Sequence, residues 1–146
     1  MTTRSATPAE LTPEDLVAMF SRERDVVRLE AGEVLFKNGD PSTSMYVVRS
    51  GTLTIRSGPV VYETVGAGGI VGEMGIVDIH MPRSAMVYAR TPAELIEIDE
   101  QRFLSLVEQT PSFALAVMRV LSRRLRVMDL RYETNRGELD DLEERR

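Results

Sequence analysis

The 146-residue chain has no cysteine and no tryptophan, a single histidine, His80, and a single lysine, Lys37. Without thiols it forms neither disulfides nor thiolate metal sites. One imidazole is too few for a metal centre that needs several. No apolar run approaches the length of a membrane span and the N-terminus has no signal-peptide core, so a cytoplasmic protein is expected. The net charge of −5 lacks the basic footprint of general nucleic-acid affinity, and direct DNA binding is not expected. What the chain does have is 42% hydrophobic residues, enough for a core in one domain of this length.

Three textures follow one another. Residues 1–24 read as a Thr/Ser-rich tail and a short helix. Thr12 is placed to cap, Pro13 sits at the first helical position, and Glu14 and Asp15 fall in the first turn. With Leu16, Val17, Met19 and Phe20 as an apolar face, a helix is predicted over Thr12–Arg22. From 25 to 99, short β-rich runs alternate with turn signals: Val26–Leu29, Glu33–Phe36, Ser44–Arg49, Gly51–Ser57, Val60–Val65, Ser84–Ala89 and Ala93–Ile98. Strands this short and evenly spaced predict a sandwich or barrel. Residues 100–146 turn helical, first over Glu100–Val107, then in a longer helix from Pro111. Ala114, Met118, Leu121, Leu125, Met128 and Tyr132 step alternately by four and three, a heptad seam that continues through Asn135, Leu139 and Leu142, with Gly137 as a weak point. The seam either pairs with a second subunit or packs its first half on the barrel. Its persistence favours a homodimer. Glu138–Arg146 reads as a solvated charged end.

One segment interrupts the strand texture: Gly72-Glu73-Met74-Gly75-Ile76-Val77-Asp78-Ile79-His80-Met81-Pro82-Arg83-Ser84-Ala85. It sets a carboxylate and a guanidinium ten residues apart, a kit for a ligand with a diol at one end and an anion at the other. Arg83 can fork onto a phosphate, and Glu73 can accept from a sugar hydroxyl. Gly72 and Gly75 remove side chains where backbone must come close, and a short helix from about Gly75 would offer free amides. The plainer alternatives are a surface arginine paired with an acid and an ordinary surface glutamate. Asp78 and His80 form an acid–base pair on paper, but no nucleophile accompanies them, and no catalysis is expected.

The spacing of Glu73, Pro82 and Arg83, with Leu35-Phe36-Lys37-Asn38-Gly39-Asp40 and Met45-Tyr46-Val47-Val48-Arg49-Ser50-Gly51 upstream, closely resembles the cyclic nucleotide-binding domain family over about Val27–Arg124. Val71 stands where that family usually has an aromatic. The resemblance implies a mainly β fold, an antiparallel double-stranded β-helix (a jelly-roll-like β-roll) over 25–99. A phosphate-binding cassette would occupy 71–85, and C-terminal helices over 100–146 would act as lid and dimer element. It implies a 3′,5′-cyclic purine nucleotide as ligand, with no metal or further cofactor. Arginine-rich, lysine-poor usage tilts the choice to cAMP over cGMP.

The implied site is Gly72, Glu73, Met74, Gly75, Pro82, Arg83, Ser84 and Ala85. Arg83 would hold the phosphate, Glu73 the ribose 2′-hydroxyl, and Ser84 and Ala85 the rest of the phosphate cradle. The Ser84 hydroxyl also permits cGMP, unless it only bonds locally. Glu73 and Arg83 would steady each other when the pocket is empty. Ile55 and Tyr62 either line the base side or pack in the core. Of Arg119, Arg123, Arg124 and Arg126, one would reach the ligand as a lid residue, or all lie on a solvated face; Tyr132 caps the base or packs.

The family usually joins such a sensor to a DNA-binding domain, kinase or channel. A helix-turn-helix would need roughly 60 further residues. The chain therefore reads as a stand-alone sensor with a protein effector partner, or as a piece of a longer one, with Met1 and the charged end favouring the former. The competing readings are a ligand-free dimerisation module with the same fold, and a cupin-type enzyme, which lacks its usual metal ligands.

Overall fold

The computed structural model describes residues 10–78 and 81–127. Helix α1 (Pro13–Met19) leads into strands β1 (Val27–Leu29), β2 (Val34–Phe36), β3 (Ser44–Ser50), β4 (Leu53–Ser57), β5 (Val60–Val65) and β6 (Ile70–Val71). Helix α2 (Met74–Val77), strands β7 (Met86–Ala89) and β8 (Ala93–Asp99), and helix α3 (Glu100–Gln109) follow. A last helix, α4, is described over 112–127. The strands form two antiparallel four-stranded sheets, ordered β1-β8-β3-β6 and β2-β7-β4-β5. Only β4 and β5 are sequence neighbours within one sheet; elsewhere the chain crosses between sheets, as a β-roll requires.

The apolar residues divide into two cores. Between the sheets lie Leu29, Phe36, Tyr46, Val48, Leu53, Val65, Val71, Val87, Ala89, Ala93 and Leu95. Between the β1-β8-β3-β6 sheet and the helices lie Leu16, Phe20, Met45, Val47, Ile70, Ile96, Ile98, Phe113, Val117 and Val120. Alternation explains the split: in β3, Tyr46 and Val48 point into the roll, while Met45 and Val47 point to the helices. Val71 is fully buried in the inner core, so the missing aromatic is replaced by a smaller packing residue.

Thr12 caps α1 in a reciprocal box with Asp15, and Pro13 occupies the first turn as expected. The helix stops at Met19, short of Arg22, because Phe20 caps its C-terminus and turns into the second core. Strand β6 lies beyond the Gly66–Gly69 separator, and two residues are too few to show a period. Helix α2 begins at Met74, one residue early, and α3 runs two residues past Val107, to Gln109.

The long helix packs through Phe113, Ala116, Val117 and Val120. The heptad seam is therefore a different stripe. Ala114 and Leu121 are half-buried, while Met118 and Leu125 stay about three-fifths exposed, at 60% and 61%. Met128, Tyr132 and the rest of the seam lie outside the described residues, as do Ile79 and His80 and the charged end. No helix among the described residues is long and apolar enough to cross a membrane.

Candidate ligand-binding site

Strand β6 delivers the chain to Gly72, whose φ of +71° turns it into Glu73 and α2. A Cβ at Gly72 would lie 2.7 Å from Arg83 Nη1, and one at Gly75 would lie 2.9 Å from that nitrogen and 2.5 Å from Ser42 Oγ. The cassette glycines thus make room for a side chain, that of Arg83, as well as for backbone.

Arg83 is fixed at both ends. Its amide donates to Asp40 O at 2.9 Å, and its carbonyl accepts from Gly39 N at 2.9 Å, so the Lys37–Asp40 turn holds the backbone. The guanidinium donates from Nη1 to Gly72 O at 3.1 Å and from Nη2 to Ser44 O at 2.7 Å, and lies 4.1 Å over the Phe36 ring. Only 7% of the residue is exposed. Its Nε is buried with no hydrogen-bond partner, and no ion pair joins it to a carboxylate among the described residues. Burial pulls its pKa below the usual guanidinium range, against the opposing pull of Tyr46, Glu73, Glu97 and Asp40. The surface arginine paired with an acid is therefore not what the chain has built. A buried cation with a free donor is costly alone and matched to an anion.

Glu73 is 4% exposed, which rules out the ordinary surface acid. It does not pair with Arg83, whose guanidinium is turned to the two carbonyls. Its Oε1 accepts from Arg124 Nη1 at 2.7 Å instead. Arg124 also donates from Nε and Nη2 to the two oxygens of Glu63, at 3.1 and 3.3 Å, and from Nη2 to Ile70 O at 2.7 Å. Burial opposes the Arg124 charge, but Glu73 and Glu63 outweigh it and raise its pKa. Arg123 reaches Glu63 only from the exposed rim, at 3.5 Å.

The remaining cassette residues surround this pair. Met74 and Pro82 are exposed, Ser84 is exposed and Ala85 half-buried. Ile55 packs against the inner core. The β4–β5 register sets Glu63 opposite Ile55 and then steps to Arg56 opposite Val61, passing over Tyr62. Two surface clefts, of about 270 Å³ beside Lys37 and Arg56 and about 590 Å³ beside Glu30 and Glu94, include neither Glu73 nor Arg83. Arg124 bonds Glu73 directly. Sequence reasoning did not single out Arg124 from the other arginines, and it missed Glu63. The signal was there: Phe113, Val117, Val120 and Arg124 form one helical stripe, with an arginine at its last, core-facing step.

The description "Cyclic nucleotide-binding domain" fits residues 26–110 of the chain as a family match. The chain is 36% identical over 99 residues to an uncharacterized ABC transporter ATP-binding protein of Mycobacterium tuberculosis, covering 64% of this chain and 29% of that protein. It is 30% identical over 136 residues to the cAMP-activated global transcriptional regulator CRP of Haemophilus influenzae, covering 80% of this chain and 61% of the regulator. It thus spans less than two thirds of either relative. A solved structure described with a cyclic-GMP-dependent signalling pathway of bacterial phytopathogenesis superposes with a TM-score of 0.67 at 30% identity, over 81% of this chain and 97% of that one. With the two-sheet roll and the buried Glu73 and Arg83 in place, the chain belongs to the cyclic nucleotide-binding domain family.

Proposed function

We propose that this chain is a non-catalytic sensor that binds one 3′,5′-cyclic purine nucleotide, cAMP in preference to cGMP, and reports occupancy through α4. The observation that carries the reading is Arg83, a buried guanidinium with an orphaned Nε and no carboxylate. A cyclic phosphate brings the single negative charge that this cation lacks. Each charge-assisted hydrogen bond to it contributes about 1.5–3 kcal/mol. Glu73 takes the ribose through Oε2, since Arg124 engages Oε1. Because Arg124 ties Glu73 to α4 through Oε1, a nucleotide that takes Oε2 is coupled to the position of that helix, and it shifts the helix equilibrium by its differential affinity for the two states. The exposed Leu115, Met118 and Leu125, which face away from the barrel, support pairing with a second copy of the chain. The output then passes to a protein effector.

Isothermal titration with cAMP and cGMP tests the reading, with 5′-AMP and cyclic di-GMP as controls. Saturable one-site binding of a cyclic mononucleotide is expected. The doubly charged controls bind weakly, because the site meets their two charges with one guanidinium that has no carboxylate of its own, that of Arg83. Absence of heat and of thermal shift with both cyclic mononucleotides would establish the ligand-free dimerisation module instead.

A further inference from the structure

The cassette does not contain Glu63, yet the geometry points to it as a positioning residue. We infer that Glu63 holds Arg124 in the one orientation that presents Glu73 to the ribose and ties α4 to the barrel mouth. This rests on the cyclic-nucleotide reading for its ligand and on the ligand-free geometry for its mechanism.

Glu63 lies on the inward side of β5, opposite Ile55. Its two oxygens meet Nε and Nη2 of Arg124 side-on, at 3.1 and 3.3 Å, the paired geometry that fixes the plane of a guanidinium. With that edge held, Nη1 points at Glu73 Oε1 at 2.7 Å, and Nη2 also donates to Ile70 O, next to the cassette. A guanidinium has five N–H donors. Four bonds are accounted for, and one Nη1 hydrogen remains. Exposure decreases along the chain of contacts, from 28% for the Glu63 side chain to 17% for Arg124 and 5% for Glu73. The outer carboxylate is partly wet. The inner one would be buried alone without the arginine.

Glu73 is thus oriented at second hand. Its Oε1 is taken, and Oε2, which accepts no hydrogen bond among the described residues, is left for a sugar hydroxyl. The same contacts anchor α4 through its core-facing arginine. Glu63 touches the nucleotide nowhere, and its effect on binding passes entirely through Arg124. That effect falls on the ribose end. The phosphate end, held by Arg83, is untouched.

The test compares cAMP with 2′-deoxy-cAMP in the parent, Glu63→Gln, Arg124→Lys and the double variant. Glutamine keeps the shape but turns one acceptor into a donor that faces Arg124. We expect Glu63→Gln to lower the affinity for cAMP about tenfold and to leave that for 2′-deoxy-cAMP within about twofold, as for loss of one charge-assisted bond. In the Arg124→Lys background, Glu63→Gln adds nothing further, the signature of action through a single partner. In the ligand-free protein, NMR hydrogen exchange at Arg124 Nε–H speeds up in Glu63→Gln. Equal weakening toward both nucleotides, or unchanged Nε–H exchange, overturns the proposal, because a merely structural glutamate would give those results. A parent protein that takes neither nucleotide refutes the cyclic-nucleotide reading, and the exchange measurement then decides the Glu63 contact by itself.

Discussion

Replacing Arg83 by methionine separates what this side chain does for folding from what it does for a ligand. In the folded chain its guanidinium makes two hydrogen bonds, to Gly72 and Ser44, and stacks on Phe36 at 4.1 Å. Such charged bonds contribute about 1.5–3 kcal/mol each, and the stacking about 1–2 kcal/mol. Opposing them is the desolvation of a cation without a carboxylate, several kcal/mol in real proteins. The two sides nearly cancel. Methionine keeps an apolar stem against Phe36. The ligand-free Tm is therefore expected to move by less than about 4 °C, which corresponds to roughly 1 kcal/mol in a domain of this size.

Binding has no such cancellation. A phosphate buried without its counter-charge loses about 3–5 kcal/mol, on the order of 10²–10⁴ in affinity. A titration of parent and Arg83→Met with the same cyclic nucleotide, beside a thermal scan of each without ligand, reads both quantities. Parent-like affinity in the variant refutes the argument. So does a ligand-free fold that collapses, since the guanidinium would then be a structural strut.

Gly75→Ala places a methyl against Arg83 Nη1, Ser42 Oγ and Ser44 O, and should cost about 1–3 kcal/mol of stability together with a loss of affinity, read by chemical denaturation and titration. Asp15 is held below the usual carboxylate range by the backbone and side-chain hydrogen bonds from Thr12, and Glu94 by those from Arg49 and Arg28. Both pKa values are depressed in the folded state, so their stabilisation is present above the unfolded pKa and is lost as pH falls through the folded one. Tm should decline from about pH 5 downward, less steeply in Asp15→Asn than in the parent. Charging the exposed stripe with Met118→Asp and Leu125→Asp should shift the chain to monomer in sedimentation, leaving the Tm of the β-roll within about 2 °C, as befits exposed positions.

The strand-and-turn texture was legible because most of the strands are set off by turns that carry glycine, proline or asparagine, as β2, β4 and β5 are. The cassette was legible because its two charged residues stand at a fixed spacing among glycines. What stayed hidden was the layer above it. The seam reading caught the apolar repeat Ala114, Met118, Leu121 and Leu125. The helix instead turns the neighbouring stripe, Phe113, Val117, Val120 and Arg124, toward the barrel. An arginine there looks like a surface residue until the carboxylates that receive it are found. One of them, Glu63, lies 61 positions away across the roll. No local pattern links residues so far apart.

Strand β3 carries one more consequence. A strand apolar on one face fixes its own alignment, because slipping by one residue would drown its greasy side. β3 is buried on both sides from Ser44 to Val48, so hydrophobicity alone would tolerate such a slip. The alignment is set by its polar end. Tyr46 donates to Glu97 at 2.9 Å and Ser44 to the same carboxylate oxygen at 3.2 Å, both on the partner β8. Those few oxygens keep the Ser44 carbonyl beneath Arg83. The placement of the Arg83 guanidinium thus inherits its accuracy from a small polar peg at the margin of two oily layers.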